Sequence, residues 1–140
     1  MAIRIVRLGT ARAEGEGVRL GTVRRPPRGV KKADYAALGY YDAWLPELAP
    51  SAGLVKSVVA AAEVTPAQWA KFAKGYRREM AEPERARLLE VLAQLSHQAD
   101  FAVGCYCENE QRCHRSILKA LLAEHGAEIV AGFVAGMPAS

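Results

Sequence analysis

The chain has 140 residues, 51% hydrophobic and 24% charged, a composition typical of globular proteins that excludes collagen-like and disordered classes. No apolar run approaches the roughly 18 residues that span a bilayer, and Arg4 and Arg7 interrupt the place where a signal peptide needs its apolar core, so a soluble cytoplasmic protein is expected. The net charge is +4, but residues 1–32 carry nine Lys and Arg against only Glu14 and Glu16, and the rest of the chain is mildly acidic.

The basic excess peaks in RRPPRGVKK at 24–32. A stretch of this kind attracts phosphate or other anions, or else serves as a solvated loop.

In chain order, Ala2–Leu8 alternates apolar Ile3 and Ile5 with Arg4 and Arg7 and predicts a half-buried strand. Small, charged and glycine-rich residues at 11–17 predict a turn. A second strand over Val18–Val23 follows, expected to pair with the first. Pro26, Pro27 and Gly29 end it, because proline lacks a ladder donor and restricts the residue before it. The basic loop is therefore expected at the carboxyl end of a strand. Tyr35–Pro50 is aromatic-rich but broken by Gly39, Pro46 and Pro50, and is read as irregular with short helical turns at most.

Three helices are expected next. Ser51 can cap one over Ala52–Ala62. Thr65 at N-cap with Pro66 at N1 opens another of about 15 residues. Its Trp69, Phe72, Ala73 and Tyr76 recur at helical spacing and read as core. Pro83–His97 carries Leu88, Leu89, Leu92 and Leu95 on one face. Asp100–Cys107 is then a short apolar run of strand type, ENEQR a polar turn, and CHRSILKALLAEHG a helix stopped by Gly126. Ala127–Ala131 reads as one more strand and 132–140 as a loose tail. Strand, helix and strand at this spacing imply a parallel crossover. The expected fold is one α/β domain over 1–140, with a small, mostly parallel central sheet flanked by helices and a helical insertion in mid-chain.

All three cysteines lie between Cys105 and Cys113, too close together for a framework of structural disulfides. Cys105 and Cys107 are two apart at a strand end, so extended geometry turns both thiols to one face and Tyr106 to the other. Cys113, His114 and Arg115 open the following helix, where unpaired amides attract anions and stabilise a thiolate. Open α/β sheets bind ligands beyond the carboxyl ends of their strands. If the second strand lies beside the cysteine-bearing one, Arg24, Arg28 and the lysines reach the same edge.

Three chemistries fit these residues. A thiol and guanidinium site would hold an anion or perform thiolate chemistry, with Cys113 the candidate nucleophile and Cys105 and His114 its candidate partners. A soft metal would choose Cys105, Cys107, Cys113 and His114, although adjacent Cys113 and His114 rarely converge on one ion and Cys-x-Cys is not the usual zinc knuckle. Alternatively the cysteines are small buried hydrophobes, and His114 and Arg115 cap and solvate the helix. Cys107 and Arg112 have the bare spacing of a phosphatase loop, but the acidic residues between them would repel phosphate. Phosphate-binding glycine loops, a dinucleotide fingerprint, H-E-x-x-H and G-x-S-x-G are absent, so no cofactor is required.

The stretches VRLGTVRRPPRGVKKADY, YYDAWLPELAPS and FAVGCYCENEQRCHRSILKALLAEHG resemble domain-of-unknown-function family 488 (DUF488), especially its YeaO-like branch, from about Ile3 to about Val130. The resemblance implies a small cytosolic α/β protein. It points to Arg24, Arg28, Lys31, Cys105, Cys107, Cys113, His114 and Arg115 as the site. Val23 stands where the family commonly has Asp.

The function expected is a basic, thiol-containing pocket for a small anionic or nucleotide-like ligand, with Arg24, Arg28, Lys31, Cys107 and Arg115 binding it and enzymatic turnover one way of using it. The alternatives are nucleic-acid binding or regulation through the basic segment 19–32, and metal binding through the cysteines. Against nucleic acid, neither a helix-turn-helix nor a zinc finger is legible.

Overall fold

The computed structural model describes residues 1–59, 64–106 and 114–130, the side chains of 57–59 excepted. Four parallel strands form one sheet in the order β1 (Ile3–Arg7), β4 (Phe101–Cys105), β2 (Val18–Gly21), β3 (Ala43–Trp44). Between β3 and β4 the chain runs through the helices α1 (Ala52–Val59), α2 (Pro66–Met80) and α3 (Pro83–Leu95), and α4 (His114–Glu124) follows β4. This is the α/β architecture with a helical middle. One expectation is corrected: β1 and β2 do not pair with each other, because β4 inserts between them and bonds to both. β4 is buried at every position, as a central strand of a parallel sheet must be.

Local sequence accounts for the helix ends. Thr65 Oγ1 accepts from Gln68 N–H at 3.1 Å while Gln68 Oε1 accepts from Thr65 N–H at 2.9 Å, a reciprocal cap ahead of Pro66. At the other extreme Gly126, with φ +91°, lets α4 end with Ala127 N–H on Leu122 O and Gly126 N–H on Ala123 O. The chain then returns beside β1, where Ile129 bridges Ile3 in parallel.

The two sheet faces are covered differently. Ile3, Ile5, Leu20, Phe101 and Val103 share one face and pack against Phe72, Tyr76, Leu89, Leu118 and Leu122 of the helices, forming the main core. Tyr76 is fully buried and donates its hydroxyl to Leu48 O at 2.6 Å, so the core aromatic also ties α2 to the turn before α1. On the opposite face the register aligns Arg19 with Ala102 and Gly21 with Gly104. Those small residues let irregular chain approach in place of a helix. A Cβ on Gly21 would lie 2.3 Å from the Tyr41 ring, and one on Gly104 would lie 2.6 Å from Val6 O.

Arg19 is 0% exposed, and all five of its N–H donors are used. Its Nε and one Nη form a bidentate pair with Glu16 at 2.8 and 2.9 Å. The remaining donors reach the carbonyls of Thr10 at 2.9 Å, Gly39 at 2.5 Å and Ala11 at 3.4 Å. Asp42 accepts from Arg19 N–H and pairs with Arg12 at 2.8 Å. Residues 10–16, the 36–42 segment and β2 are thereby held together by one polar network. Burial by itself would raise the Glu16 and Asp42 carboxyls. Hydrogen bonds and the charges of Arg19 and Arg12 outweigh it and hold both below their ordinary values.

Replacing Arg19 by Met strands the Glu16 carboxylate in the interior and should cost about 3–5 kcal/mol, read as a lower urea midpoint; an unchanged midpoint would exclude the network as a structural tie. Gly21→Ala should lose about 1–3 kcal/mol by forcing Tyr41 off the sheet. Both carboxyls titrate lower in the folded than in the unfolded state. Their contribution is therefore complete above the unfolded values and is lost as the pH falls through the depressed ones, so stability should decline below about pH 4. In the double variant Glu16→Gln, Asp42→Asn that decline should flatten.

Candidate functional site

Parallel strands all release the chain at one sheet edge, and the site is built there. Beyond Gly21, Thr22 donates both its N–H and its hydroxyl to Gly104 O, each at 3.0 Å, so the exit of β2 is fastened to β4. His114, the first residue of α4, bonds Thr22 O through Nε2 at 2.8 Å. A carbonyl only accepts, so Nε2 carries the proton there. The next three residues are fixed in turn. Trp44 Nε1 donates to Val23 O at 2.6 Å, Arg24 Nε donates to Pro50 O at 2.9 Å, and Tyr106 donates its hydroxyl to Arg25 O at 2.9 Å. The basic loop thus leaves the sheet on a rigid base.

A cavity of about 660 Å³ opens between these pieces, within the range of small-molecule sites. Val23, Arg24 and Arg25 line it from β2, Cys105 and Tyr106 from β4, and His114 from α4. Ala49, Pro50, Ala52, Val55 and Lys56 complete the wall. Among the described residues three cations and no carboxylate face it. Arg24, Arg25 and Lys56 make no ion pair among the described residues, whereas Arg12, Arg19, Arg77 and Arg85 each have a carboxylate partner. The remaining lining is largely aliphatic. An anion with an apolar body suits such walls. The N-terminus of α1 is already served by protein, since Glu79 accepts from Ser51 N–H at 2.8 Å.

The structure brings together Arg24, Cys105 and His114 of the residues singled out from sequence. Cys105 is 2% exposed and packs with Leu8, Val23 and Tyr41. His114 is also buried, with its ring edge-on to Tyr76 at 5.6 Å. Arg28 does not join them: it lines a separate cavity of about 350 Å³ with Arg25, Pro26, Pro27, Tyr40 and Tyr106. Lys31 is exposed and lines neither cavity. Arg115, singled out for ligand binding, is 3% exposed and lines neither cavity; α4 turns that position into the interior, which also corrects the alternative in which it solvates the helix start. Cys107 and Cys113 lie outside the described residues. Among the described residues no group of three or more His, Cys, Asp or Glu side chains is placed to hold a metal ion, and no helix is long and apolar enough to cross a membrane.

Sequence reasoning overlooked Lys56, Tyr106 and the Pro50 carbonyl. The signal for Lys56 is visible afterwards: Ala52, Val55 and Lys56 stand three and four apart and share one helix face. Strand alternation predicts Tyr106 on the face away from the thiols, yet it lines both cavities, the larger one together with Cys105. Burial, and then the neighbouring tyrosines, push its phenol well above the ordinary value, so the hydroxyl stays a donor to Arg25 O.

Residues 3–126 match the family model described as the active DUF488-N3 subclade. No curated protein and no solved structure matches the chain. The match includes the four strands and four α-helices described above and every described residue of the cavity wall, from Val23 to His114. The protein therefore belongs to the DUF488 family.

Proposed function

We propose that the cavity at the ends of β2 and β4 binds a small anionic ligand. The observation that carries this reading is the set Arg24, Arg25 and Lys56, three cations facing one partly apolar cavity with no carboxylate among the described residues of its wall. An anion there is held by charge and by guanidinium hydrogen bonds, while Val23, Ala49, Pro50 and Val55 receive an apolar body. Arg24 is oriented for the task, because its Nε is committed to Pro50 O and its two Nη groups bond no described residue.

Cys105 and His114 add a thiol and an imidazole to the same wall. In the thiolate reading Cys113 remains the nucleophile proposed and Cys107 a ligand-binding neighbour. Placement in the YeaO-like branch belongs to the same proposal, on the strength of Arg28-Gly-Val-Lys-Lys and Trp44. The nucleic-acid alternative loses part of its basis: Arg19, one end of the basic segment 19–32, is buried against Glu16 and offers no charge to a phosphate backbone.

Inorganic phosphate and pyrophosphate, titrated calorimetrically at low salt, should bind and should weaken as salt is raised. Arg24→Ala and Lys56→Ala should each lose about tenfold in affinity, the order expected for one charge-assisted hydrogen bond. Arg87→Ala removes an exposed charge on α3 and should change nothing. Equal losses in all three variants, or no binding by the parent protein, would overturn the reading.

A further inference from the structure

The smaller cavity has no part in the reading above, yet it is not remote from it. Arg25 and Tyr106 line both volumes, so the two spaces meet at those side chains. The smaller one has a distinct chemistry. Arg25 and Arg28 bring guanidinium groups that pair with no carboxylate among the described residues. The chain between them is Pro26-Pro27, whose fixed φ values, together with the extended bias on the residue before each proline, make it stiff. Little entropy is lost in ordering it around a ligand.

Two aromatic rings share the lining with the arginines. Tyr40 and Tyr106 meet edge to face, with centroids 6.3 Å apart and planes at 71°. A flat group stacked on the ring that presents its edge turns its own edge to the face of the other, both favourable arrangements for a π system. Tyr106 is held by its bond to Arg25 O, and Tyr40 N–H bonds Tyr35 O at 2.9 Å. A simple anion needs cations and has no use for two tyrosines. Guanidinium planes beside aromatic rings instead suit a planar heterocycle that carries hydrogen-bond acceptors.

We propose that the two cavities take a single nucleoside phosphate, its phosphate among Arg24, Arg25 and Lys56 and its base against Tyr40, Tyr106 and Arg28. This rests on the anion reading of the larger cavity and names the class of ligand. Tyr106 is the partition the ligand crosses, and Arg25 serves both ends.

The test compares adenosine 5′-monophosphate, ribose 5-phosphate and inorganic phosphate by calorimetry on the full chain. Ribose 5-phosphate should bind, and the nucleotide should bind about tenfold tighter, the order of gain for stacking one base. Arg28→Ala, at an exposed position, should bring the nucleotide down to the level of ribose 5-phosphate without changing ribose 5-phosphate itself. Tyr40→Leu should do the same, with circular dichroism to check its fold, and Arg28→Ala keeps the test valid should that variant fold poorly. Equal affinity for nucleotide and sugar phosphate, or a nucleotide advantage that survives Arg28→Ala, overturns the base site and leaves the anion site standing. Failure of all three ligands to bind overturns both.

Discussion

A guanidinium group carries five donors and a charge that it cannot discard, so burying it is tolerable only where acceptors surround it. Arg19 meets that condition at the centre of the sheet face that none of the described α-helices covers. Glu16 supplies the charge, and carbonyls of Thr10, Ala11 and Gly39 take the remaining donors. Each acceptor comes from irregular chain, and irregular chain over a sheet brings backbone polar groups that must themselves be satisfied. The buried arginine answers that need. It is thus both a cost and a reason why loops, in place of a helix, can close this side of the molecule.

The same face explains the glycines. Gly21 and Gly104 are cross-strand neighbours, and the Tyr41 ring lies where a Gly21 side chain would stand. The tyrosine-rich segment from 35 to 41 therefore seats directly on the backbone of β2. That seating carries Tyr40 to Tyr106 at the carboxyl edge. The edge is consequently framed on one side by the helical layer, through His114 and α1, and on the other by the tyrosine segment. Charge enters from the third direction, along the chain leaving β2. Because Trp44, Tyr106 and Thr22 fix that exit, its arginines stand on a rigid support, as a recognition site requires.

Much of this was legible in advance, for identifiable reasons. Thr65-Pro66 announced the start of α2 because capping and proline chemistry are local. Trp69, Phe72 and Tyr76 announced their buried face because 3.6-residue periodicity is local as well. Gly126 marked the end of α4 through its left-handed backbone. The two-residue β3 was invisible, since Ala43 and Trp44 are too few to show a period and are paired only because β2 offers them an edge. By sequence Arg19 counts with the basic segment 19–32, as a charge open to a phosphate backbone. Composition counts a charge but does not reveal that a turn three residues earlier folds Glu16 back onto it.

The main helices, the helical middle of the chain, and the concentration of positive charge after a strand follow from local sequence, because caps, periodicity and charge are properties of short windows. Tertiary structure alone decided which strand β4 would join. By entering between β1 and β2 it set Cys105 beside the exit of the basic loop some 80 residues earlier in the chain, and His114 beneath it. It also separated the arginines, leaving Arg24 in one cavity, Arg28 in another, Arg25 in both and Arg19 in neither. Strand order is a property of the whole sheet, fixed by which faces can be buried together, and no local window contains it.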